Sequence, residues 1–174
     1  MNYVSRWPLF AHMLSAVFCL GCSAIYHLFF VYSEKACTWL AKLDYAGISI
    51  LILGSTMPSI NYNFACGPAL FFRNIFLTLE VVSCSLAFIV TLMPAFDKPQ
   101  NRKWRGILFV LLGFCSAAPL IFLLAFRQPE YMVEPNATYF IIGGILYAFG
   151  ACVYITRVPE RCKPGCFDIF GHSH

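Results

Sequence analysis

Charge is what this sequence has least of. Only 11% of its 174 residues are Asp, Glu, Lys or Arg, and 60% are hydrophobic. A soluble domain carries about 25% charged residues. The deficit excludes a chain that covers a water-facing surface, and a mean hydropathy of +0.72 agrees. The chain also lacks strict apolar–polar alternation, which argues against membrane strands. The first residues, MNYVSRWPLF, do not have the form of a signal peptide: they offer one Arg, then Pro8, and no small-residue cleavage site. The nine cysteines are scattered, and Cys19, Cys22, Cys84, Cys115 and Cys152 fall inside apolar runs. A thiol there is a small hydrophobe, so no disulfide framework is expected. Cys162 and Cys166 in CKPGC do not have the C-x2-C spacing of a zinc knuckle. The net charge of +4 is no nucleic-acid signal, because the cations lie in short linkers between apolar runs.

What is present is five long apolar segments, at about 9–31, 45–60, 71–93, 106–126 and 139–155. Each approaches the ~20 residues that a helix needs to cross a bilayer. Backbone polar groups in lipid must bond within their own segment, so the runs are helices. The expected fold is all-α, a multi-pass transmembrane bundle forming one membrane domain over 1–174. The linkers alternate between basic and basic-poor. Lys35, Lys42, Lys98, Arg102, Lys103, Arg105, Arg157, Arg161 and Lys163 fall on one side, against Arg6, Arg73 and Arg127 on the other. The excess of cations makes the first side cytoplasmic, together with the carboxyl end. Asn136-Ala137-Thr138 is a glycosylation sequon in a linker expected to face out, and it makes Asn136 a candidate acceptor. Five spans would start the chain outside without a leader, so a piece of a longer membrane protein is expected.

Ionisable residues in membrane segments are functional candidates. His27, in SAIYHLFFV, falls near the cytoplasmic end of the first helix, with Ser23 one turn earlier on the same face. Asp44, in LAKLDYAGI, falls at the entrance of the second. His172 and His174 follow the fifth. The topology puts these groups in one layer, where imidazoles and a carboxylate suit zinc. The bland alternatives are a hydrogen-bonded membrane histidine and an Asp44 that caps its helix. Glu80, in LTLEVVSC, lies outside that layer; it pairs with Arg73 two turns away or faces a polar cavity. His12 reads as structural or interfacial. Pro58, Pro94 and Pro119 are places where helices kink or end, and Gly143-Gly144 and Gly150-Ala151 allow close helix approach.

SAIYHLF, LDYAGISILI, GACVYITRVPER and PGCFDIFGHSH, in that order, resemble the progestin and adipoQ receptor family. The closest likeness is to adiponectin receptors and heptahelical plant proteins, with haemolysin III proteins more distant. The resemblance runs from about Ser5 to His174. It implies a seven-helix receptor-like bundle of which this chain holds five helices, without the family's first and last. It also implies a zinc ion near the cytoplasmic face. His27 and His174 match family ligand histidines, Asp44 matches the aspartate that acts directly or through water, and Ser23 matches the serine beside the metal. A third family histidine would come four residues after His174. The implied activity is zinc-dependent hydrolysis of ceramide-like lipid amides, with Asp44 and Ser23 as catalytic candidates, coupled to signalling. The implied partner is a lipid or small hydrophobic ligand; homo-oligomerisation is left open, and plasma membrane and endomembrane both fit. The alternatives are a non-catalytic membrane sensor with structural zinc and an inactive truncated product.

Overall fold

The fold is taken from a computed structural model, which describes residues 5–65, 67, 69–97, 99–126 and 137–166. Five helices follow one another: α1 (Trp7–Phe29), α2 (Glu34–Asn63), α3 (Ala69–Leu92), α4 (Arg102–Ala125) and α5 (Ala137–Thr156). All five are long and apolar enough to cross a membrane. The described residues contain no strand, so the all-α expectation stands.

Local sequence explains the boundaries. Pro8 opens α1, where a missing N–H costs nothing. Ser33 caps α2 by accepting from the Ala36 N–H at 3.1 Å, and Glu34 adds a favourable charge to the first turn. α2 therefore starts at Glu34, well before the expected 45. Its 30 residues rise about 45 Å, against a hydrocarbon core of about 30 Å. α2 is therefore longer than the hydrocarbon is thick. Pro94 follows α3 and opens a pair of 3-10 turns, which Asn101 braces by donating to the Ala95 carbonyl at 2.6 Å. Pro58 and Pro119 stay inside helices rather than ending them.

Packing is sequential, α1 on α2, α2 on α3, α3 on α4 and α4 on α5. The α1–α2 seam needs small residues: a Cβ on Gly54 would lie 2.5 Å from the Ser15 Cβ. At one end of the bundle Phe64, Phe72, Phe76 and Phe122 stack around Ile60 and Leu123, with ring centroids 4.8–6.2 Å apart. Deeper in, Cys84, Ala87, Phe109 and Leu112 form a second core. Most other large apolar side chains are exposed, as lipid-facing residues should be. α5 is the least enclosed, with no buried residue in its membrane-length window. Gly143, Gly144 and Gly150 have nothing within 4 Å of a built Cβ, so among the described residues they do not serve the expected close approach. Gly106 and Gly113 on α4 do, against Ile155 and Tyr147.

Candidate functional site

Asp44 is the eleventh residue of α2, not its cap; Ser33 holds that role. The capping explanation for this carboxylate is therefore set aside. α1 and α2 run antiparallel, with Ser15 against Gly54, Cys19 against Gly47 and Tyr26 beside Cys37. That register brings Asp44 to the level of Cys22 and Ser23, and Asp44 acts electrostatically on both Cys19 and Cys22. Asp44 and Ser23 are both half-buried. His27 lies about one turn farther along α1, on an exposed face, with its ring 5.0 Å from that of Tyr26.

On its other side Asp44 reaches a cavity of about 380 Å³ between α2, α4 and α5. Ile48, Phe109, Leu146 and Ala151 make most of its wall apolar, and Tyr147 and Tyr154 add hydroxyls. The mouth is built by a cluster that sequence reasoning missed. Tyr45 and Tyr154 both line the cavity, with their phenols close enough to interact. The buried Arg105 donates from Nε to the Tyr154 hydroxyl at 3.2 Å, and its guanidinium lies 5.1 Å from the Tyr45 ring centroid. Arg102 donates from Nε to the Tyr154 carbonyl at 3.0 Å and covers the Tyr154 ring at 4.3 Å. Two cations and two phenols thus tie the start of α4 and the end of α5 to the first half of α2. The signal available in the sequence is Tyr45 beside Asp44; Arg102 and Arg105 read there as topology signals alone.

Glu80 settles between its two alternatives. It is 1% exposed, and its Oε1 accepts from Ser116 Oγ at 2.6 Å and Thr56 Oγ1 at 3.0 Å, with Cys84 Sγ at 3.7 Å. No ion pair joins it to Arg73 among the described residues, and the Arg73 Nε is buried without a hydrogen-bond partner there. A hydroxyl cage, not a cation, receives this carboxylate. Thr56 and Ser116 also line a second cavity of about 400 Å³.

The metal expectation has two donors within the described residues, His27 and Asp44. Zinc sites in catalysis use three protein ligands, and among the described residues no three His, Cys, Asp or Glu side chains converge. His172, His174 and the sequon Asn136 lie outside the described residues. Of the described cysteines, all eight are free thiols. His12 is half-buried with its Nδ1 unbonded among the described residues.

A family model described as haemolysin-III related matches residues 1–174. The chain is 40% identical over 98% of its length to heptahelical transmembrane protein 4 of Arabidopsis thaliana, covering 44% of that protein. It is 34% identical over 98% of its length to heptahelical transmembrane protein ADIPOR2 of Oryza sativa subsp. japonica, covering 74% of it. The adiponectin receptor protein of Drosophila melanogaster is 34% identical over 94% of the chain and is covered over 37%. The chain thus spans less than half the length of most of the curated relatives it matches. With the fold an apolar helix bundle and the family model matching from end to end, the chain belongs to the haemolysin-III related family of multi-pass membrane proteins.

Proposed function

We propose that the chain is the metal-binding and lipid-handling part of an adiponectin-receptor-like membrane protein. His27, Asp44 and His174 would share a zinc ion, and the substrate would be a ceramide-like lipid amide. The observation that carries this reading is the place of Asp44: a carboxylate inside a membrane helix, level with Ser23, on the wall of an apolar cavity. Ionisable groups held in such a place are functional by default. Zinc, when bound, would supply the Lewis acidity that lets water attack an amide at neutral pH. Asp44 would accept the proton of the attacking water. The Ser23 hydroxyl would donate to the amide carbonyl, and the apolar wall around Phe109 and Leu146 would take the acyl chain. The cation excess at the Asp44 end would make that end cytoplasmic. Fatty acid release from ceramide by the purified protein tests the reading. Asp44→Asn and His27→Ala should each abolish release; unchanged release in both would sink it.

A second reading is a non-catalytic sensor with structural zinc. The Arg105–Tyr154–Tyr45 joint favours it, since a ligand in the cavity beside it would bear on three helices at once. Signalling that survives loss of hydrolysis but not loss of zinc would select this reading.

A further inference from the structure

At the end of the bundle where α4 starts and α5 stops, cations collect and stay exposed. Lys103 is the second residue of α4, and Arg157, Arg161 and Lys163 follow α5 directly; all four are exposed. Lys35, also exposed, stands at the start of α2 at the same end. Among the residues whose side chains the structure describes, Glu34 is the exposed carboxylate there, while Glu160 is half-buried and already engaged.

Two features make the α4–α5 corner a formed surface rather than a scatter of side chains. Arg102 ties the last turn of α5 to the first turn of α4 through the Tyr154 carbonyl. The segment after α5 is then folded on itself, with Arg161 N–H bonded to the Arg157 carbonyl at 2.8 Å and Cys162 N–H to the Pro159 carbonyl at 2.8 Å. Its height is fixed by its neighbours. Lys103 and Arg157 sit at the ends of apolar spans of 24 and 20 residues, which is where the hydrocarbon must give way to headgroups. Trp104, 64% exposed beside Lys103, and Trp39, also 64% exposed on α2, match the aromatic anchors of that layer.

We propose that this corner holds the headgroup of an anionic phospholipid from the surrounding leaflet, with Lys103, Arg157 and Arg161 on the phosphate and Trp104 against the upper acyl chain. Cations at this depth attract anionic lipid over a neutral one by about fivefold for each effective contact. The proposal rests on the membrane-spanning fold and not on the zinc reading, so either can fail without the other.

The test uses tryptophan fluorescence in reconstituted vesicles. A variant keeping Trp104 alone (Trp7→Phe, Trp39→Phe) is compared with one keeping Trp7 alone, at the opposite end of α1. Each is placed in phosphatidylcholine vesicles containing brominated phosphatidylserine or brominated phosphatidylcholine as quencher. Trp104 should favour the brominated serine lipid by at least about fivefold, the value for a single effective contact, and Lys103→Gln/Arg157→Gln/Arg161→Gln should bring that ratio close to one. Trp7 should be indifferent to the triple change. Raising salt toward ~1 M, where the Debye length is about 3 Å, should erase the Trp104 preference without any substitution, which covers a triple variant that misfolds. Equal quenching of Trp104 by the two lipids at low salt, or a preference that persists in high salt, overturns the proposal.

Discussion

Replacing Glu80 with alanine removes the carboxylate that joins α2, α3 and α4 inside the bundle. Its Oε1 receives Ser116 Oγ at 2.6 Å and Thr56 Oγ1 at 3.0 Å, each from a different helix. Both hydroxyls have carbonyls to fall back on, Leu112 O at 3.0 Å and Ile52 O at 2.9 Å. Each has a single proton, so losing Glu80 redirects it rather than orphaning it. The cost is then two interhelical bonds plus a small cavity. Interhelical hydrogen bonds in membranes average about 0.6 kcal/mol and reach about 1.7. Deleting Cγ, Cδ and both carboxylate oxygens leaves a void that costs about 1 kcal/mol more, by the scale of large-to-small substitutions. Glu80→Ala should therefore destabilise the fold by about 2–4 kcal/mol, and Glu80→Gln, which keeps an acceptor and the volume, by under about 1 kcal/mol. Unfolding in mixed micelles with increasing sodium dodecyl sulfate measures both. A cycle with Ser116→Ala should recover a coupling of roughly 1 kcal/mol. The reasoning fails if Gln is as damaging as Ala, because the carboxylate charge would then hold the joint. It fails equally if Glu80→Ala is silent.

Three further outcomes follow from the packing. Gly54→Ala should separate α1 from α2 and cost about 1–3 kcal/mol, with partial rescue by Ser15→Gly, read in the same unfolding assay. Tyr147→Phe removes the 2.7 Å bond to the Phe109 carbonyl and should loosen α5 from α4 by about 0.6–1.7 kcal/mol, seen as faster proteolysis after α5. Arg105→Ala should free the α5 end more than Arg105→Lys, because lysine keeps a charge near Tyr45 but not the reach to both the Tyr154 hydroxyl and the Phe96 carbonyl; hydrogen exchange over 150–157 reads the difference.

The spans were legible because each is a nearly unbroken apolar run, and continuity alone dictates a helix in lipid. The start of α2 was not. Lys35, Lys42 and Asp44 made its first third look like a linker, although Ser33 and Glu34 carried a start signal. Lys42 is in fact buried, which no period in the sequence shows. Glu80 was recognised as out of place, but which helices would offer it Thr56 and Ser116 depends on rotation and register, and those are tertiary facts. The same holds for the glycines. Gly143 and Gly144 have the spacing for close approach, and Gly106 and Gly113 make it. At the candidate site the residue types were legible, and the level shared by Ser23 and Asp44 follows from the hairpin of α1 and α2. The place of His27, one turn off and exposed, did not follow from its being in the same layer.

The central claim is a zinc site shared by α1, α2 and the segment after α5. Metal analysis of the purified protein tests it most directly, comparing this chain with a form extended through the family's next helix. The account predicts about one zinc per extended chain, lost in His27→Ala and weakened in Asp44→Asn. Zinc absent from both forms, or bound equally after His27→Ala and Asp44→Asn, would contradict it.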